Sequence, residues 1–194
     1  MAQKPKILAF AGSLRNQSNN KKLLKIAIEG AKAAGAEVTF IDLKDYPMPI
    51  YDQDIEDAEG PPENAKKLKE LMLSHQGFLI ASPEYNSSIS AVLKNLIDWA
   101  SRKAFTDEPD LACFKNKTAA LMSVSPSFMG GMRGLVTLRS ILDNIGVLVM
   151  PQQQTIPNGF QAFNEQGNLI NGAHQKNVEQ LGAALANLLS KLNT

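Results

Sequence analysis

Three polar stretches carry most of the residues that could do chemistry: GSLRNQSNN at 12–20, SPEYNSS at 82–88 and SVSPSFMGG at 123–131. In the first, Ser13, Ser18, Asn19 and Asn20 are neutral donors and Arg15 is a single charged fork. A turn that opens a helix presents unpaired N–H groups and a positive dipole end, which suits an anion. A guanidinium adds paired donors for phosphate oxygens. The lysine of GxxxxGK[ST] and the pattern GxGxxG are both absent. Hydroxyls with one arginine therefore suit a terminal phosphate monoester better than a triphosphate–magnesium complex. Ser18 also reads as a plain helix N-cap, and the residues alone leave both readings open.

The second stretch fits one edge and one face of a flat heterocycle. Pro83 keeps Glu84, Tyr85 and Asn86 out of helical conformation, so their backbone N–H and C=O groups can face such an edge. Tyr85 can stack, Asn86 can donate and accept, and Ser87 or Ser88 is placed to cap the helix that follows. In the third stretch, Gly130-Gly131 at the start of a helix permits close backbone approach to a ligand. No nucleophile with a base is evident: His75 precedes a strand at the far edge of the sheet, and His174 has no GxSxG elbow to serve. Two histidines so far apart make a poor metal site.

The elements that must position these loops follow from the period of the apolar residues. Strands are expected at 6–11, 38–41, 77–81, 118–123 and 146–150. Helical stripes run through Leu24–Ala31, Ala65–Met72, roughly 89–102, Leu135–Leu142 and Val178–Leu192, with Gly35 stopping the first. Strict alternation means βαβ units, a parallel sheet and helices on both faces: an α/β protein. Ligands of such sheets bind beyond the carboxyl ends of the strands, where strand order reverses. The three polar loops converge there by topology. Two longer connections, 43–62 and 151–172, are candidates for binding or subunit contact, and 103–113 has no assignable role.

At 194 residues a single domain, 1–194, is expected. The net charge of +1 argues against a nucleic-acid face. The one cysteine, Cys113, excludes an intrachain disulfide and a thiolate cluster and reads as a small apolar residue. With no apolar signal region and no membrane-length apolar run, the cytoplasm is the expected location. The helix near 89–102 carries Leu96 and Ile97 but also Trp99 and Arg102 on other sides. A helix apolar beyond one stripe is covered on more than one side, so a homodimer or homotetramer is expected.

The loop "GSLRNQSNN", the stretch "SPEYNSSISAVLKNLIDWASR" at 82–102 and "GGMRGLVTLRSIL" at 130–142 resemble the NAD(P)H-dependent FMN reductases, a family that includes quinone and chromate reductases. The resemblance covers essentially the whole chain. It implies a flavodoxin-like three-layer sandwich with FMN and NAD(P)H as cofactors and a small-molecule electron acceptor: a quinone, azo compound, free flavin or oxidised metal ion. It implies that Ser13, Arg15, Ser18 and Asn20, with Asn19 beside them, hold the FMN phosphate. Pro83, Glu84, Tyr85, Asn86 and Ser87 would lie along the isoalloxazine ring, with Ser123, Ser125 and Gly130 on its other side. FMN would carry the chemistry, with substrates alternating in a ping-pong cycle and no catalytic side chain required. Ser127, after Pro126, departs from the glycine common in the family. A flavodoxin-type electron carrier is the alternative, but such carriers are acidic and this chain is nearly neutral.

Overall fold

The strand Lys6–Ala11 (β1) sends Ile7, Ala9 and Ala11 into one apolar core and Leu8 and Phe10 into another. Side chains alternate across a strand, and this one is covered on both faces. The computed structural model describes residues 4–192. In it follow α1 (Asn19–Ala33), β2 (Glu37–Ile41), α2 (Gln53–Glu59), α3 (Glu63–Leu73), β3 (Gly77–Ala81) and α4 (Ala91–Ala100). The chain continues through β4 (Thr118–Val124), α5 (Met132–Asn144), β5 (Leu148–Ile156) and α6 (Gly172–Leu192). The sheet is wholly parallel, in the order β2-β1-β3-β4-β5. Helices α1 and α6 close one core, and α3, α4 and α5 the other. This is the expected three-layer α/β sandwich, and its strand order reverses between β1 and β3. No helix among the described residues is long and apolar enough to cross a membrane.

The structure departs from the sequence reading in four places. Residues 43–62 are not an open loop: a short 3-10 turn at Leu43–Asp45 and α2 lie within them, and the segment folds back onto α4. Pro49 O accepts hydrogen bonds from Asn95 Nδ2 (2.8 Å) and Trp99 Nε1 (2.9 Å), and Tyr51 N–H donates to Asn95 Oδ1 (2.8 Å). Tyr51 packs edge-on against Trp99 at 5.0 Å between centroids, and Arg102 pairs with Glu56. Trp99 is thus fully buried within one chain. The second apolar side of α4 is covered by the protein's own segment, so it gives no reason to expect a partner.

The helix cap is the second departure. Ser90, not Ser87 or Ser88, caps α4: its Oγ accepts from Leu93 N–H (3.4 Å) and donates to Gly12 O (2.7 Å). Third, β5 runs on to Ile156, with Val149 opposite Ala119 and Gln153 opposite Leu121, so the strand bulges between them. Arg139 donates to the carbonyls of Val149 (3.2 Å) and Met150 (2.6 Å) there. Fourth, 103–113 acquires a role. Glu108 and Lys69 of α3 form an ion pair at 2.8 Å with side chains 2% and 4% exposed. Lys69 also donates to Ala100 O (3.2 Å) and to Arg102 O, at the carboxyl end of α4. The other Glu108 oxygen accepts from Ala104 N–H at 2.5 Å. The segment locks α3 to the end of α4 and buries Cys113 and Phe114 beneath it.

Candidate functional site

Beyond the carboxyl ends of β1, β3 and β4 the loops enclose a cleft of about 210 Å³. Of the residues expected from the sequence, Ser13, Arg15, Ser18, Asn19, Asn20, Pro83, Glu84, Tyr85 and Ser125 all line it. Val124, Pro126 and Phe160 line it too; the first two fall within the 123–131 stretch expected there, and Phe160 was not named from the sequence. Phe160 is 82% exposed and sits in the long 151–172 connection, whose length was its only signal. A larger groove of about 560 Å³ runs along the outer side of α1. Its lining mixes Lys22 and Lys25 with Glu29, Glu165 and Glu179, so it offers no single charge to a ligand.

The first loop is a helix entrance. Ser18 Oγ accepts from Lys21 N–H (3.4 Å) as the N-cap of α1, a contact worth about 1 kcal/mol. Ser13 Oγ accepts from Arg15 N–H (3.4 Å). The Arg15 side chain is exposed, and among the described residues its guanidinium has no partner. The two asparagines are engaged elsewhere. Asn20 Nδ2 donates to Val124 O (3.0 Å) while its Oδ1 accepts from Val124 N–H (3.1 Å), tying α1 to the end of β4. Asn19 Nδ2 donates to Gly159 O (2.6 Å), fixing the loop that carries Phe160. Both side chains build the cleft wall, and the Asn20 amide is oriented by the Val124 backbone, with one Nδ2–H left over.

The second loop is a closed turn. Tyr85 N–H donates to Ser88 O (2.9 Å) and Ser88 N–H to Tyr85 O (3.0 Å), with Asn86 (φ 51°) and Ser87 (φ 65°) in the left-handed region between them. The backbone groups of Tyr85 are therefore spent inside the turn, contrary to expectation. The N–H groups of Glu84 and Asn86 have no partner among the described residues. Tyr85 is half exposed over the cleft, while Asn86 and Ser87 form the exposed tip of the turn. The Glu84 carboxylate points away, to Arg133 and Gly134 of α5. Burial pushes this carboxyl up, but the Arg133 hydrogen bond, the Gly134 N–H and the Arg133 charge together outweigh that and leave it below the usual glutamate range.

The third loop changes the reading of its glycines. A Cβ on Gly131 (φ 92°) would fall 1.9 Å from Ser123 Oγ, and one on Gly130 (φ 61°) would fall 2.8 Å from the Ile156 backbone. Glycine is required there for packing against the protein itself. Ser123 is fully buried behind Gly131, off the cleft surface, and its Oγ has no hydrogen-bond partner. Ser125 remains at the cleft, its Oγ accepting from Ser127 N–H (3.3 Å). Among the described residues no group of His, Cys, Asp and Glu side chains could hold a metal ion.

Arg15 thus stands beside the entrance of α1 and Tyr85 beside the β1/β3 reversal, with one cleft between them. That is the place and shape of a mononucleotide site in an open parallel sheet. Residues 5–161 match the family described as NADPH-dependent FMN reductase. An NADPH:quinone oxidoreductase of Arabidopsis thaliana is 32% identical over 91% of this chain and 87% of its own length. An NAD(P)H-dependent FMN reductase of Pseudomonas aeruginosa is 32% identical over 95% of each chain. Among solved structures, a flavoenzyme NAD(P)H:(acceptor) oxidoreductase from Paracoccus denitrificans matches with TM-score 0.77 and 26% identity, over 96% of this chain and 98% of that one. The chain belongs to the NADPH-dependent FMN reductase family. It is an oxidoreductase of flavodoxin-like fold, with FMN and NAD(P)H as its cofactors.

Proposed function

We propose that this enzyme passes hydride equivalents from NAD(P)H to small planar acceptors, quinones first among them, in a ping-pong cycle. Azo compounds, free flavin and oxidised metal ions are the other acceptors of this class. The observation that carries the reading is the pair of uncommitted side chains, Arg15 and Tyr85, lining one cleft together with backbone N–H groups and serine hydroxyls that can still donate. The residues fit FMN. Arg15, Ser13, Ser18 and the first N–H groups of α1 suit its phosphate. Tyr85, the N–H groups of Glu84 and Asn86, and the wall from Ser125 to Pro126 suit its ring.

Bound FMN supplies two-electron chemistry. The chain's own residues bind, orient and shield it. Asn19 and Asn20 hold the walls, Arg15 fixes the charged end, and the Tyr85 turn fixes the other. Leu14, Tyr85, Phe128, Met132, Val136 and Phe160 are exposed on the segments that frame the cleft. A second copy covering them would complete the enclosure, so a homodimer or a larger assembly is part of this proposal.

Initial rates with NADPH and a quinone varied together test the cycle: parallel double-reciprocal lines are expected, and intersecting lines would refute alternation at one site. FMN binding without NADPH oxidation would return the protein to the electron carriers. A monomer in light scattering at micromolar concentration would remove the assembly.

A further inference from the structure

Between the two loops that flank the cleft lies a charged contact with no part in the chemistry above. The Glu84 side chain, 5% exposed, accepts on Oε1 from Arg133 Nε (2.9 Å) and Nη2 (2.5 Å), and on Oε2 from the Gly134 backbone N–H (3.2 Å). Gly134 is the third residue of α5, whose N-cap position is Gly131 and has no side-chain cap. A carboxylate from another loop therefore satisfies an orphan N–H and opposes the helix dipole. The backbones touch as well. A Cβ on Gly134 would lie 3.1 Å from Ser88 O and 3.3 Å from Glu84 Cα. Because the Tyr85–Ser88 turn is closed by two reciprocal hydrogen bonds, it moves with Glu84 as one piece.

We infer that Glu84 and Arg133 are positioning residues: a clasp that holds the Tyr85 turn at a fixed distance from the 125–131 loop and so sets the width of the slot for the flavin ring. This rests on the FMN reading. Neither carboxylate nor guanidinium needs to touch the cofactor. Arg133 is half exposed and its partner is buried, so the arginine can be replaced without opening a core. The clasp acts on the ring end of the cleft, and its hydrogen bonds run to α5, not to Arg15 or the entrance of α1. Its loss should weaken every isoalloxazine ligand alike, with or without a phosphate.

The test titrates FMN and riboflavin against wild type, Arg133→Leu, Arg133→Lys, Glu84→Gln and the double variant Glu84→Gln/Arg133→Leu, following flavin fluorescence and the visible absorption band. Arg133→Leu should weaken both ligands by the same factor, about tenfold for one lost charge-assisted contact. Arg133→Lys should recover part of that loss. The double variant should bind no worse than the weaker single, because both remove one contact.

Unchanged affinities with a lowered melting temperature would make the pair a structural salt bridge and overturn the inference. A loss confined to FMN would do the same, by placing the effect at the phosphate. If Arg133→Leu fails to fold, Arg133→Lys decides on the same criteria. Wild type binding neither flavin would instead sink the FMN reading, an outcome separable from the other two.

Discussion

Removing the guanidinium of Arg15 tests the orientation of the cofactor most directly. Its side chain is exposed and has no partner among the described residues, and its one hydrogen bond is made by the backbone N–H, which alanine keeps. Arg15→Ala should therefore leave the stability of the apoprotein within about 0.5 kcal/mol. A charge-assisted bond to phosphate is worth about 1.5–3 kcal/mol, so FMN should bind on the order of ten- to a hundredfold more weakly. Riboflavin lacks the phosphate, and its weaker binding should be indifferent to the substitution. Because the contact is exposed, added salt should also narrow the wild-type gap between FMN and riboflavin. Fluorescence titration of both ligands, with a thermal melt of each apoprotein, measures all of this. Equal losses for the two ligands would mean a deformed loop, and no loss would make Arg15 a solvated residue. Either result refutes the phosphate assignment.

Three other outcomes follow from the packing and the charges. Glu108→Leu strands the ammonium of Lys69 among carbonyls, so it should cost about 3–5 kcal/mol, a fall in melting temperature of roughly 6–20 °C for a chain of this size. Adding Lys69→Met should recover most of it, and a double variant as unstable as the single would refute the pairing. Burial pushes the Cys113 thiol up to about 11, so iodoacetamide at pH 8 should label the unfolded protein and spare the native one; rapid native labelling would place Cys113 at a surface. The folded Glu84 carboxyl lies below its ordinary value of 4.5, so the stability it contributes is complete above that pH and is lost as the pH falls through the lowered folded value. The melting-temperature gap between wild type and Arg133→Leu should accordingly hold from neutral pH to about 4.5 and close only in stronger acid; a gap that closed near pH 6 would contradict the ion pair.

The sheet was legible because β1, β3 and β4 are buried on both faces and read as unbroken apolar runs. Helix α2 was not, for the opposite reason: none of its residues is buried, so it has no stripe to find. Trp99 marks a subtler limit. Its period reported a second covered side of α4, but a cover from residues 46–51 and a cover from another copy leave the same pattern in a sequence. The convergence of the loops was legible from topology, and the allotment of their side chains was not. Asn20 looks the same whether it meets a phosphate or the backbone of Val124, 104 residues away. Glu84 and Arg133 carried one available signal, opposite charges on a loop and a helix entrance that topology brings side by side.

On the FMN reading, that allotment favours one way round for an anionic ligand. Three helices begin at the carboxyl edge of the sheet beside the three loops. Of these, α4 is capped there by Ser90, whose hydroxyl is tied to Gly12 O, and α1 and α5, also with positive dipole ends, are the two to compare. At α5 the Glu84 carboxylate already takes the Gly134 N–H and is paired with Arg133, so a phosphate there would find that donor and that cation already taken. At α1 the cap is the neutral hydroxyl of Ser18, and the nearby Arg15 is unpaired among the described residues. On the proposed FMN reading, the entrance of α1 would be the one to take the charged end of the mononucleotide. On the same reading the ring would lie on the side where Tyr85 is exposed and the Glu84 and Asn86 N–H groups have no partner among the described residues. Glu84→Lys should blur this choice by opening α5 to anions: inorganic phosphate should then protect the variant against thermal unfolding more than it protects wild type. Equal protection of the two would mean that the carboxylate does not govern where anions bind.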